Sequence, residues 1–152
     1  MTLPFPTVAA VSGHAFAGGC LLAMACDYRV MREDRGFICM NEVDMKSVKP
    51  GTFPDADRKV NAVLSSKLSV HVLREMMLQG RRYGGKEAES KGIVDIAVSR
   101  ENVLPVSIDL AAKWYDVVSL FQNPFEHSLF LPCIIISQHQ LQCLGPQKLH
   151  LQ

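Results

Sequence analysis

The chain has 152 residues, enough for a domain with a substantial buried core. Its residues are 48% hydrophobic and 20% charged, an ordinary balance for a soluble globular protein, and its formal net charge is +1. Near-neutrality argues against a nucleic-acid surface or a face for anionic lipid.

The first element is PTVAAVS (6–12), an apolar strand of the kind buried on both faces. Gly13 to Gly18 form a turn, and Gly18 to Ala25 a helix. The uncharged run from Thr7 to Cys26 is long enough to cross a bilayer. Gly13, His14, Gly18 and Gly19 interrupt it, however, so strand, turn and helix are expected rather than a membrane span. MTLPFP lacks the basic stretch of a signal peptide. DYRVM (27–31) is a second strand, with Asp27 serving the helix-to-strand junction through backbone hydrogen bonds. After a polar turn at REDRG (32–36), FICMN (37–41) is a third strand ending at Glu42.

VDMKSVKPGTFPDADR is mostly loop, punctuated by Pro50, Gly51 and Pro54. Helical patterns follow at about 55–66 and from a Ser69 cap through Leu78, the latter with Val72, Leu73, Met76 and Met77 on one face. Residues 80–98 read as a turn, a short helix ended by Gly92, and a strand from Ile93 to Val98. Ser99 caps a helix carrying Val103, Leu104, Ile108, Leu110, Ala111, Trp114 and Val118, with Pro105 tolerable in its first turns. Beyond about residue 119 the helical period stops and charge almost vanishes. That gives a domain at 1–118 and an irregular, poorly ordered tail at 119–152, in which FLPCIII is an aggregation liability. Five cysteines (20, 26, 39, 133, 143) form no CxxC or Cys/His ligand pattern, so reduced buried thiols and no metal are expected.

The stretch GHAFAGGCLLAMACDYRV (13–30) raises the question of chemistry. It is no phosphate loop: GxxxxGK[ST] and GxGxxG are both absent. Gly18 and Gly19 opening a helix after a buried strand still present free N–H groups at the positive end of a helix dipole. Tight helix–strand packing explains such glycines equally well.

PTVAAVSGHAFAGGCLLAMACDYRVM, then FICMNE, then GRRYGGKEAESKGIVD, closely resembles the crotonase (enoyl-CoA hydratase/isomerase) superfamily over residues 5 to about 118. AGGCLLAMACDYRV, MNE and MREDRGF are most similar to plant-type Δ3,Δ2-enoyl-CoA isomerases. The resemblance implies an α/β fold, a partial crotonase-like ββα spiral with C-terminal helices. It also implies an acyl-CoA thioester substrate, no separate cofactor, and a backbone oxyanion hole with Gly18 N–H as one donor. Ala17, Gly19, Leu21 and Phe53 are the further substrate-binding positions it implies.

The carboxylates choose among reactions. Hydratases of this superfamily use two glutamates, one of them three residues after the oxyanion glycine, where this chain has Leu21. Glu42 matches the glutamate that isomerases of this type use alone, returning to C4 the proton taken from C2. Without the resemblance, Glu42 is an ordinary strand-end residue and Asp44 an equal candidate. His14 is expected to be a satisfied loop residue.

The family carries strand and helix units before the PTVAAVSG strand, whereas Met1 stands five residues before Pro6. A truncated or alternatively spliced chain, or a mis-predicted gene product, is therefore expected, with weakened activity, and a catalytically inactive form that associates with a full-length homologue is the alternative. Hydration or thioester hydrolysis is a third possibility, disfavoured by Leu21. The family implies a trimer-type homo-oligomer and a peroxisomal address; the LHLQ end is no SKL-like signal, which leaves the cytoplasm as the other expectation.

Overall fold

The computed structural model describes residues 6–44, 54–119, 133–136 and 140–143, with the backbone alone described for 54–57, 114–119 and the last two segments. The first half comprises β1 (Thr7–Val11), β2 (Ala15–Phe16), α1 (Gly18–Ala25), β3 (Tyr28–Arg32) and β4 (Ile38–Cys39), then a 3-10 turn at Glu42–Asp44. Next come α2 (Pro54–Lys67), α3 (Val70–Gln79), α4 (Gly85–Ser90) and β5 (Ile96–Val98). A 3-10 turn at Arg100–Asn102 leads into α5 (Val103–Ser119), followed by β6 (Cys133–Ile136) and β7 (Gln140–Cys143).

The main sheet has the order β5-β3-β1-β6-β7. Its pairings are parallel except the last, in which β7 runs antiparallel to β6. A strand flanked by parallel neighbours is covered on both faces, and all five residues of β1 are buried. Alternation along the strand divides the core in two. Val8, Ala10 and Val30 pack with Val103 and Ala111 of α5 on one face. Ala9, Val11 and Met31 pack on the other with Cys20, Ala23 and Met24 of α1, backed by Leu64, Val72 and Met76 of α2 and α3. This is the mixed α/β class that the family resemblance implied.

Several boundaries moved, each for a local reason. The third strand is only Ile38–Cys39, because its short partner β2 lies inside the expected turn. The strand toward Val98 starts at Ile96 rather than Ile93, since the N–H groups of Ile93 and Val94 both donate to Ala88 O and close α4. Gly92, at φ 69°, supplies the left-handed position just past that helix. Ser69 caps α3 as expected, accepting from Val72 N at 3.4 Å.

Within the stretch expected to be irregular, residues 133–136 form β6 alongside β1, in register from Thr7 opposite Cys133 to Ala10 opposite Ile136. A run with three consecutive isoleucines favours extended backbone, and the edge of β1 offers it unpaired N–H and C=O groups.

Two polar links tie the layers. Thr7 donates from its N–H and its hydroxyl to Asp27 Oδ2, both at 2.8 Å, which is the junction role expected of Asp27. Arg29 is 5% exposed within β3, and its guanidinium donates to Ile93 O at 2.9 Å and Cys26 O at 3.1 Å. No helix among the described residues is long and apolar enough to cross a membrane.

Candidate functional site

The site is assembled by the smaller sheet. β2 and β4 pair in parallel, Ala15 opposite Ile38 and Phe16 opposite Cys39. Ala15 N–H donates to Phe37 O at 2.8 Å and Ala17 N–H to Cys39 O at 3.0 Å. The opening of α1 is thereby held beside the segment that becomes the Glu42–Asp44 turn. A third segment joins through Ile38, which exchanges backbone hydrogen bonds with Tyr83 at 2.9 and 3.1 Å.

The turn before β2 needs a close approach. Gly36, at φ 103°, lies so near Gly13 that a Cβ there would sit 2.5 Å from the Gly13 carbonyl oxygen. At the other end of β2, Ala17 adopts φ 48° and ψ −115°, a rare conformation for a residue with a side chain. Such strain persists only where surrounding structure enforces it, and here it turns the chain sharply from strand into helix.

Helix α1 has no side-chain cap. Leu21 N–H donates to Ala17 O at 3.0 Å, so the earlier N–H groups, at Gly18, Gly19 and Cys20, have no acceptor within the helix. A Cβ on Gly18 or Gly19 would meet nothing within 4 Å. Donors that the helix itself leaves without an acceptor thus border open space, the arrangement that receives a negative oxygen. Leu21, one turn along, is half-buried and brings no polar group.

Glu42 begins the 3-10 turn, and its Oε2 is buried without a hydrogen-bond partner among the described residues. Asn41 Oδ1 is orphaned in the same way. Buried acceptors are nearly always paired, so two adjacent exceptions mark a place where a donor is wanted. The carboxylate acts on the thiol of Cys20 in the first turn of α1: burial, then Cys39, then Glu42 push that thiol up to about 12. Glu42 and the opening of α1 therefore share one local field. Asp44, the rival carboxylate, is more than half exposed and pairs with Arg82 at 3.9 Å. The tertiary structure separates two acids that stand level without the family resemblance.

Of the positions named from sequence, Ala17, Gly18, Gly19, Leu21 and Glu42 fall in this neighbourhood, and Phe53 lies outside the described residues. His14 is exposed, its ring 4.9 Å from Phe16 and 5.8 Å from Phe37. Sequence reasoning passed over Asn41, Cys20 and Arg82. Their sole signal was adjacency to Glu42, Gly19 and the GRRY turn. Cys20, Cys26 and Cys39 are buried thiols outside any disulfide, and among the described residues no cluster of three His, Cys, Asp or Glu could hold a metal.

Residues 1–130 match the family model described as enoyl-CoA hydratase/isomerase, and the chain belongs to that family. Its sequence is 40% identical over 116 residues to enoyl-CoA delta isomerase 2, peroxisomal, of Arabidopsis thaliana, covering 74% of this chain and 45% of the relative. It is 42% identical over 98 residues to enoyl-CoA delta isomerase 1, peroxisomal, of the same plant, covering 64% of this chain and 38% of the relative. A crystal structure of an enoyl-CoA hydratase from Bacillus anthracis superposes with a TM-score of 0.63 at 28% identity, over 75% of this chain and 41% of that one. The fold is therefore that of the crotonase-type hydratases and isomerases, and the chain spans less than half the length of the curated relatives it matches.

Proposed function

We propose that this chain contributes the catalytic base and one oxyanion donor of a Δ3,Δ2-enoyl-CoA isomerase. The observation that carries the proposal is the buried Glu42 Oε2, without a hydrogen-bond partner among the described residues, beside the opening of α1, which has no side-chain cap. The substrate is a 3-enoyl thioester of coenzyme A. Glu42 removes a proton from C2, and the negative charge moves to the thioester oxygen. Gly18 N–H donates to that oxygen without reorganising, a contribution of roughly 3 kcal/mol to the barrier. Glu42 then returns the proton to C4, leaving the double bond between C2 and C3.

Leu21 supports isomerisation over hydration, because its side chain has no group to orient an attacking water. Asp44 is no substitute, being exposed and paired with Arg82. Coenzyme A arrives as part of the substrate, so no separate cofactor is required. The same proposal includes work in unsaturated fatty-acid β-oxidation, and a peroxisomal location, the location that the names of the two Arabidopsis relatives give for them. A homo-oligomer of the trimer type completes it.

The test is an assay of the purified chain on trans-3-hexenoyl-CoA, following the conjugated 2-enoyl thioester by absorbance. Glu42→Gln keeps the shape of the side chain and removes the base, and turnover should fall at least a hundredfold with the fold intact. Equal turnover in the variant would remove Glu42 from the mechanism.

A further inference from the structure

The loop between α3 and α4 holds two neighbouring arginines in different circumstances. Arg81 is committed: it meets Glu75 at 2.8 Å and Glu87 at 2.6 Å. Arg82 points elsewhere. Its guanidinium lies 5.6 Å from the centre of the Phe16 ring, two residues before Gly18. It also lies 3.9 Å from the carboxylate of Asp44, two residues after Glu42. Arg82 thus bridges the two sides of the site, touching one flank of the oxyanion donor and one flank of the base.

Its ties are weak. Arg82 and Asp44 each keep 55% of their side-chain surface exposed, and their separation is at the outer limit for an ion pair. Pairs of that kind contribute little and yield readily to a better anion. The guanidinium is held in direction by the aromatic face and by the loop, whose Tyr83 is locked to Ile38. A planar cation, oriented, solvent-facing and loosely paired, is suited to phosphate.

We infer that Arg82 is a substrate-anchoring residue that binds a phosphate group of the coenzyme A portion of the thioester, with Asp44 as the anion it exchanges. This rests on the acyl-CoA reading above. Arg82 would lower KM and set the preference for a full coenzyme A thioester over shorter thioesters, leaving the proton transfer to Glu42.

The experiment measures binding of octanoyl-CoA, which cannot isomerise, by titration calorimetry. Arg82→Ala should weaken it about tenfold, whereas Asp44→Asn, which removes the competing anion, should tighten it about twofold. Octanoyl-pantetheine, which lacks the nucleotide phosphates, should lose less than twofold on Arg82→Ala. Arg82→Gln repeats the measurement with a side chain that still covers Phe16. The inference is overturned if wild-type chain does not bind octanoyl-CoA, if Arg82→Ala binds it as tightly as wild type, or if both thioesters weaken equally. The two proposals fail separately. Arg82-dependent binding without turnover of 3-hexenoyl-CoA removes the isomerase and keeps the anchor; Glu42-dependent turnover with Arg82-independent binding does the reverse.

Discussion

Arg29 and Asp95, 66 residues apart, meet twice on one carboxylate oxygen: Asp95 Oδ2 accepts from the Arg29 backbone N–H at 2.8 Å and from its guanidinium at 2.8 Å. With its bonds to the Cys26 and Ile93 carbonyls, the guanidinium stitches the end of α1 and the exit of α4 onto β3. Removing one partner of such a link leaves buried polar groups unpaired. Arg29→Ala should cost about 2 to 3 kcal/mol, and Asp95→Asn, whose carboxylate is partly exposed, less. Urea unfolding of both variants checks this; equal stability of Arg29→Ala and wild type would show the link to be idle.

Two glycines near the site should respond oppositely to the same added methyl. Gly36→Ala forces a Cβ against the Gly13 carbonyl at a positive φ, and should destabilise the chain by more than about 2 kcal/mol. Gly18→Ala meets open space, so stability should change by no more than about 1 kcal/mol. The methyl nevertheless enters the place proposed for the thioester oxygen, and turnover should fall at least tenfold. Thermal melts paired with the hexenoyl-CoA assay separate the two effects.

The loop that carries Arg82 is pinned by Tyr83, whose hydroxyl donates to Glu75 Oε2 at 2.6 Å. Burial, then this carboxylate, push the phenol well above its usual value. The Tyr83 hydrogen bond, helped by Arg81, holds Glu75 below the usual carboxylate range. A raised phenol stabilises the fold below its unfolded value of about 10, and that contribution is lost as pH rises through the folded value. The lowered carboxylate stabilises above about 4.5, and its contribution is lost as pH falls through the folded value. Stability should therefore decline at both ends. Tyr83→Phe should cost about 2 kcal/mol near neutrality and flatten the alkaline decline. Urea midpoints from pH 3 to pH 11 test the sign at each end.

Much of the fold was legible along the chain. The apolar run 6–12, the glycines opening α1, the Ser69 cap and the Gly92 stop are local signals, set by backbone geometry and hydrophobic period. Strand lengths at β4 and β5 were not legible, since partner length and a helix cap decided them. The strand at 133–136 was equally hidden, because an isoleucine run becomes a strand only when an edge is offered.

The sequence by itself determined most helices and strands of the first 118 residues and the resemblance to the family, because those depend on residue type and spacing along one chain. Only the tertiary structure decided that Glu42 rather than Asp44 keeps a buried oxygen without a partner among the described residues, and that Arg82 reaches both flanks of the site. Burial and pairing are properties of neighbours in space, and here those neighbours come from β2, β4 and the loop before α4.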